Sequence, residues 1–376
     1  MKIVITGGGS GGHFYPLIAV ADKVRELSDD KKIIQPKIFY MAVEPYNEDI
    51  LFQQDIEFVK INAGKLSLDP SFKSIIEIIK TGWGVFTSFL KIFKIFPDVI
   101  FTNGGYVAFP VLVAAKILRI PVVIHASDTV PSRVLLFAGK FAEKISIAFP
   151  EAAKFFPKDK VALLGNPVRD GVKYKQKEGS HDYFNLDPSI PVILIIGGSQ
   201  GSQIINETVL DSLPELVKKY QIIHQVGKNN YDELYGTTGV VLMNNKFKSR
   251  YKIFPYLSDL QMKMAAGITD LVVSRSGAGS IAEISNWELP SILIPLSKII
   301  SRDQESNSFA YSRTGSAQII RQKNLSPNIL TYEINRLFDD KVLLKKMKES
   351  AKKSFLPDAE VKIAKEILKI LISHQK

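Results

Sequence analysis

The sequence predicts an α/β protein of two doubly wound, Rossmann-like domains facing across a cleft, and three observations predict it. Short β-branched runs alternate with helical patterns along the chain. The alternation pauses after residue 164 and restarts at residue 192. Both halves open alike, with IVITGGGSGG at 3–12 and ILIIGGSQGS at 193–202, each a strand, a glycine turn and a helix start.

In the first half, strands are expected at 2–6, 36–41, 57–61, 98–102, 121–125, 144–147 and 161–164. Helical patterns lie between them near 12–28, 45–54, 71–96, 108–118 and 131–140. Continuously apolar strands alternating with helices indicate a parallel sheet covered on both faces. The second half supplies strands at 192–196, 221–225, 251–254, 270–274, 290–294 and 317–320. Asn166-Pro167 breaks regular structure, so the domains are drawn at 1–166 and 167–356. The polar stretch 174–191 has no period and reads as a surface loop. Pro357 starts a last helix, 357–376, expected to pack back on the first domain.

At roughly 150 residues per domain, 376 residues suit two domains. A composition 45% hydrophobic and 23% charged excludes disorder, collagen and coiled coil. With no cysteine there is no thiolate nucleophile, disulfide or cysteine-held metal. The five histidines (His13, His125, His181, His224, His374) form no H-x-x-x-H or H-x-x-E-H pattern, and no Asp-x-Asp occurs. No metal site and no cofactor are expected.

The formal charge of +11 admits an anionic partner: a phosphorylated substrate, an acidic membrane or nucleic acid. Residues 341–376 alone hold ten lysines against four acids, which reads as a solvated helical face. No aromatic-interleaved basic strand or recognition-helix signature supports nucleic acid. No signal-peptide pattern opens the sequence. The longest charge-free run in the apolar segment 72–96 is 81–90, ten residues, about half a bilayer span. A cytoplasmic protein without a transmembrane helix is expected.

The loop Gly7-Gly8-Gly9-Ser10-Gly11-Gly12-His13 lies between a strand and a helix. Glycines let the backbone approach a ligand, and N–H groups at a helix start attract phosphate. The loop also satisfies G-x-G-x-x-G, so a nicotinamide-dependent oxidoreductase with Glu44 as ribose ligand stays open. The second glycine loop, 197–201, argues for a ligand held in the cleft between two domains instead.

Eight strings in order carry a resemblance over nearly the whole chain: GGGSGGHFYP (7–16), NGGYVAFP (103–110), IPVVIH (120–125), GNPVR (165–169), GGSQGSQIIN (197–206), HQVGK (224–228), RSGAGSIAE (275–283) and DQESN (303–307). The chain resembles the MurG family of peptidoglycan glycosyltransferases. That resemblance implies the two-domain GT-B fold and transfer of N-acetylglucosamine from UDP to the 4-hydroxyl of a lipid-linked muramyl-pentapeptide, with inversion.

It also implies residue roles. Ser199 with its neighbour Gln200, Arg169, and the helix start Ala278, Gly279 and Ser280 would meet the donor diphosphate. Glu283 would accept from the ribose hydroxyls, and backbone around Leu257 would read uracil. Gln304 and Asn307, one helical turn apart, would face the sugar. Ser10, Gly11, Gly12 and Asp128 are further donor contacts. Gly9, Gly104, Gly105 and Tyr106 would cradle the acceptor diphosphate. His13 would be the base, its neutral form favoured by the helix N-terminus, while His125 reads as structural. The family usually has His-Glu-Gln-Asn where this chain has His125-Ala126-Ser127-Asp128.

The acceptor's lipid implies a peripheral protein on the cytoplasmic face of a bacterial inner membrane. The expected membrane face is Ile75, Ile79, Trp83, Phe86, Lys91 and Lys94, an apolar stripe flanked by lysines that suits an anionic surface. Competing enzyme readings are a UDP-sugar:diacylglycerol transferase and a UDP-sugar epimerase of the same fold.

Overall fold

The computed structural model describes residues 1–8, 11–64, 72–198, 200–297, 301 and 303–373, with only the backbone of 72–75. Every expected strand forms within a residue or two of its expected bounds. They are β1 (Lys2–Thr6), β2 (Lys37–Ala42), β3 (Ile56–Lys60), β4 (Val99–Thr102), β5 (Val122–Ala126), β6 (Lys144–Ile147), β7 (Val161–Leu163), β8 (Val192–Ile196), β9 (Gln221–Gln225), β10 (Tyr251–Phe254), β11 (Leu271–Ser274), β12 (Ser291–Leu293) and β13 (Ala317–Ile319). The chain forms two compact units, Met1–Arg169 with Leu356–Lys376, and Asp170–Phe355.

The first unit is a seven-stranded sheet in the order β3-β2-β1-β4-β5-β6-β7, parallel throughout. All of β4 and β5 is buried, because helices cover both faces and no side of the strand needs to be polar. The helix Ala359–Ser373 comes last in the chain yet packs on Gly11–Asp30 in this unit. It sends Ile363, Ala364, Ile367, Leu368 and Leu371 into the core, the spacing of one helical stripe.

The second unit is a six-stranded parallel sheet in the order β10-β9-β8-β11-β12-β13. Ile193, Ile195, Ile222 and Val273 meet Val209, Leu213 and Leu216 of the helix Gln203–Lys219 in its core. The stretch 174–191, expected as a loop, contains the short helix Ser180–Phe184. Phe184 is buried and packs edge-on against Phe254, ring centroids 5.7 Å apart. Phe184 and the buried Leu186 anchor a segment whose composition is otherwise polar.

In each sheet the order of connection reverses beside the first strand, between β1 and β4 and between β8 and β11. Such switch points leave a crevice beyond the carboxyl ends of the strands, where α/β proteins bind ligands.

Candidate functional site

At the switch point of the first unit the two glycine loops pack backbone on backbone. A Cβ on Gly105, whose φ is +84°, would lie 3.1 Å from the Gly8 carbonyl oxygen and 3.6 Å from His13 Cδ2. Only glycine allows that conformation and that approach together. Tyr40 donates its hydroxyl to the Gly7 carbonyl at 2.8 Å, fixing the other side of the loop.

Pro16 lies inside the helix Gly11–Asp30 and has no N–H to give the Gly12 carbonyl. The Asn103 amide stands in, its Nδ2 at 3.4 Å from Gly12 O and 2.7 Å from His13 O. His13 is thus a half-buried side chain on a tied-down first turn, beside Gly104, Gly105 and the half-buried Tyr106. Gly11 is buried and Gly12 exposed, while Gly9 and Ser10 lie outside the described residues.

Arg169 falls in this first unit, three residues past the boundary expected after residue 166. Its guanidinium sits 4.2 Å from the centroid of the Tyr15 ring, a cation–π pair. The Asn-Pro break is local, and the chain stays packed on the first unit for three further residues. Asp128 is half-buried two residues beyond β5, and Ala126 is wholly buried as the last residue of that strand. His125 is also wholly buried, with Nδ1 2.8 Å from Ser146 Oγ and Nε2 2.8 Å from Asn166 Oδ1. Burial pushes its pKa down to about 4, so it is neutral and structural.

In the second unit, three side chains tie four expected strings together. Arg275 Nη2 donates to Ser202 Oγ at 2.6 Å, joining the loop after β8 to the loop after β11. Ser276 Oγ donates to the Gln304 carbonyl at 2.8 Å. Gln225 links Gly198 to Leu257, with its amide 3.2 Å from Gly198 O and its carbonyl 2.9 Å from Leu257 N. The Leu257 N–H is therefore spent inside the protein.

Helix starts here are left open. Ser202 and Gly277 are the N-caps of Gln203–Lys219 and Ala278–Asn286, and neither makes a side-chain cap bond. Elsewhere in the unit Ser258, Ser326 and Asp340 cap their helices, while Asn230 and Asp303 make no side-chain cap bond. The Ser202 hydroxyl accepts from Arg275 instead. Arg275 is only 7% exposed, and its acceptors are the neutral Ser202 Oγ, Ile294 O and Gln322 Oε1. Burial lowers its pKa to about 10, so it remains a cation at neutral pH. Two open helix starts and one cation backed by neutral acceptors make a site for anionic oxygen.

Gly279, Ser280 and Glu283 are half-buried on the helix Ala278–Asn286, and Ala278 is buried. Gln304 accepts from the Leu296 N–H at 3.2 Å. Asn307, on the same helix Gln304–Arg313, is wholly buried, so the two do not share an open face. Ser199 lies outside the described residues. Sequence reasoning passed over Tyr15, Asn103, Gln225 and Arg275 as site residues. All four lie within the strings quoted above, and Gln225 carries a second signal as a polar side chain ending an apolar strand, IIHQ at 222–225.

The helix Phe72–Ile95 presents its sides in reverse of the usual order. Thr81, Gly84, Ser88 and Ile92 are buried, while Ile79, Trp83, Phe86, Leu90 and Phe93 are each at least half exposed. Lys94 is exposed, Lys80 pairs with Glu77 at 2.8 Å, and Lys91 donates to the Lys60 carbonyl. The side chain of Ile75 lies outside the described residues. Among the described residues no helix is long and apolar enough to cross a membrane, and no three acidic or histidine side chains cluster as a metal site would require.

Residues 3–147 match the glycosyltransferase family 28 N-terminal domain, and residues 192–363 its C-terminal domain. A UDP-N-acetylglucosamine–N-acetylmuramyl-(pentapeptide) pyrophosphoryl-undecaprenol N-acetylglucosamine transferase of Bacillus thuringiensis is 37% identical, over 89% of this chain and 91% of its own length. A transferase of the same name from Natranaerobius thermophilus is 32% identical over 99% of this chain and its own full length. Among solved structures, Acinetobacter baumannii MurG superposes with a TM-score of 0.73 at 23% identity, covering 98% of this chain and 99% of that one.

Proposed function

The chain belongs to the MurG family of N-acetylglucosaminyl transferases, and from that membership we propose that it moves N-acetylglucosamine from UDP-N-acetylglucosamine to undecaprenyl-diphosphate-linked muramyl-pentapeptide, making lipid II for peptidoglycan. The observation that supports the donor half is the pair of open helix starts beside Arg275 in the second unit. A nucleoside diphosphate brings the anionic oxygens such a site lacks. Ser199, Ala278, Gly279 and Ser280 would hold the diphosphate, Glu283 the ribose, and Gln304 the sugar. Leu257 would read the base through a group other than its N–H. The leaving diphosphate would be neutralised by these dipoles and charges without a metal.

The first unit would hold the acceptor. Its two interlocked glycine loops offer backbone N–H groups to the acceptor diphosphate, and His13 stands at their edge as the base. His13 would take the proton from the muramyl 4-hydroxyl as that oxygen attacks the anomeric carbon from the face opposite the leaving UDP, inverting the centre. The helix Phe72–Ile95 would dock this unit on an anionic membrane surface, where the acceptor resides, the cytoplasmic face being the one that supplies UDP-sugars.

An assay of UDP release with UDP-N-acetylglucosamine and a lipid-linked muramyl-peptide tests the reaction. His13→Ala should lower turnover by about 10²–10⁴-fold, the usual worth of a general base, while UDP affinity stays near that of the parent. Turnover close to the parent's would return His13 to a packing role, and no release from the parent protein would remove the reaction itself.

A further inference from the structure

Gln225 is the last residue of β9 and is 2% exposed. β9 lies between β8 and β10, and Gln225 is in register with Ile196 on one side and Phe254 on the other. Those two residues end their strands, so Gln225 stands level with the start of both the 197–202 loop and the 255–257 segment. Its side chain uses both ends of one amide. Nε2 donates to Gly198 O at 3.2 Å, and Oε1 accepts from Leu257 N at 2.9 Å. The reverse amide orientation would set N–H against N–H and carbonyl against carbonyl, so the two bonds fix each other.

The same loop is held elsewhere by contacts that do not reach the Leu257 segment. Asn230 Nδ2 donates to Val226 O at 2.9 Å, and a Cβ on Gly201, φ +77°, would collide with that same carbonyl. Among the described residues, Gln225 is thus the side chain whose hydrogen bonds reach both segments. Gly198 has a φ of +96°, and its carbonyl already accepts from the Gly201 N–H at 3.0 Å within the loop, so the Gln225 amide is the bond that ties that turn to a neighbouring strand end.

We infer that Gln225 is a positioning residue of the donor site, locking the phosphate-holding loop to the base-holding segment so that nucleoside and diphosphate are gripped in one geometry. The inference rests on the donor reading above. Ligands that use both segments depend on the lock. A nucleoside without phosphates depends only on the half beside Leu257.

Gln225→Glu separates the two ties. It keeps an acceptor for the Leu257 N–H and sets a carboxylate oxygen against the Gly198 carbonyl. By calorimetry, UDP affinity should fall about tenfold, the upper end for one lost hydrogen bond, while uridine affinity changes less than about twofold. In the transfer assay, KM for UDP-N-acetylglucosamine should rise about tenfold with kcat nearly unchanged. Gln225→Met removes both ties at similar length and should weaken uridine by at least about threefold and UDP by more. A Gln225→Glu protein whose ratio of UDP to uridine affinity equals the parent's overturns the inference, whatever its melting temperature. If Gln225→Glu does not fold, unchanged affinities in Gln225→Met overturn it instead. A parent protein that binds neither ligand overturns the donor reading, a separate result seen before any variant is made.

Discussion

His125 and His224 sit wholly buried in central strands, one in each unit, and neither faces a carboxylate among its hydrogen-bond partners. Burial lowers the first to about pH 4 and the second to about pH 3. In the unfolded chain each takes up a proton near pH 6.5. Their contribution to stability is therefore complete above pH 6.5 and lost as the pH falls from there toward the folded values, at about 1.4 kcal/mol per pH unit for each. His224→Gln can still bond to Tyr251 and Asn206 but does not titrate. Urea unfolding of the second unit between pH 6.5 and 5 should lose that slope in this variant, and an unchanged slope would mean His224 is not neutral in the folded state. Arg275 allows a companion test. A hydrogen bond or close contact to a charged group is worth about 1.5–3 kcal/mol. Arg275→Met should weaken UDP by about that amount and leave uridine binding unaltered. His125 read as structural at the end of an apolar strand, whereas the burial of His224 and Arg275 was not legible, since HQVGK and RSGAG read equally well as exposed loop chemistry.

The helix Phe72–Ile95 shows where periodicity stops being informative. Its length and apolar character were clear in the sequence, but apolar residues fall on several sides. The buried side is chosen by its neighbours: Gly84 lies so close to the Asn62 carbonyl that any Cβ would collide, and Thr81 hydrogen-bonds back to the Glu77 carbonyl at 2.7 Å. Small residues make that approach possible, which turns the aromatic side outward. Exposed large residues on such a face suit shallow insertion into lipid, and each nearby lysine adds about 1 kcal/mol on an anionic surface. Trp83 should shift its emission to the blue on vesicles containing anionic lipid. Phe86→Glu with Phe93→Glu should abolish vesicle co-sedimentation while changing folding stability by less than about 0.5 kcal/mol per site, as exposed positions do. Retained co-sedimentation would place the membrane contact elsewhere.

Across the whole molecule, the strands and the two-unit plan were readable because continuous apolar runs report burial on both faces without reference to anything distant. The unit to which Arg169 belongs was not, because a stacking partner 154 positions earlier in the chain decides it. UDP binding should also be confined to the second unit. The chain has two tryptophans, Trp83, 59% exposed in the first unit, and Trp287, wholly buried in the second with Nε1 2.7 Å from the Val172 carbonyl. Thermal unfolding followed by tryptophan emission therefore reports mainly the second unit. UDP at 100 times its dissociation constant adds about 2.7 kcal/mol, raising that transition by about 5–10 °C. A transition that ignores UDP would move the nucleotide site out of the second unit.

The first unit is completed by a helix that follows the entire second unit in the chain. During synthesis, residues 1–169 leave the ribosome without the helix that covers Gly11–Asp30. At about 5–20 residues per second, the 186 residues of Asp170–Phe355 occupy about 10–40 s of translation. For that interval the first unit waits with an uncovered apolar face while the second unit is being made. The outward aromatic side of Phe72–Ile95 is exposed as well, so the unfinished protein carries two apolar surfaces where the finished one carries one.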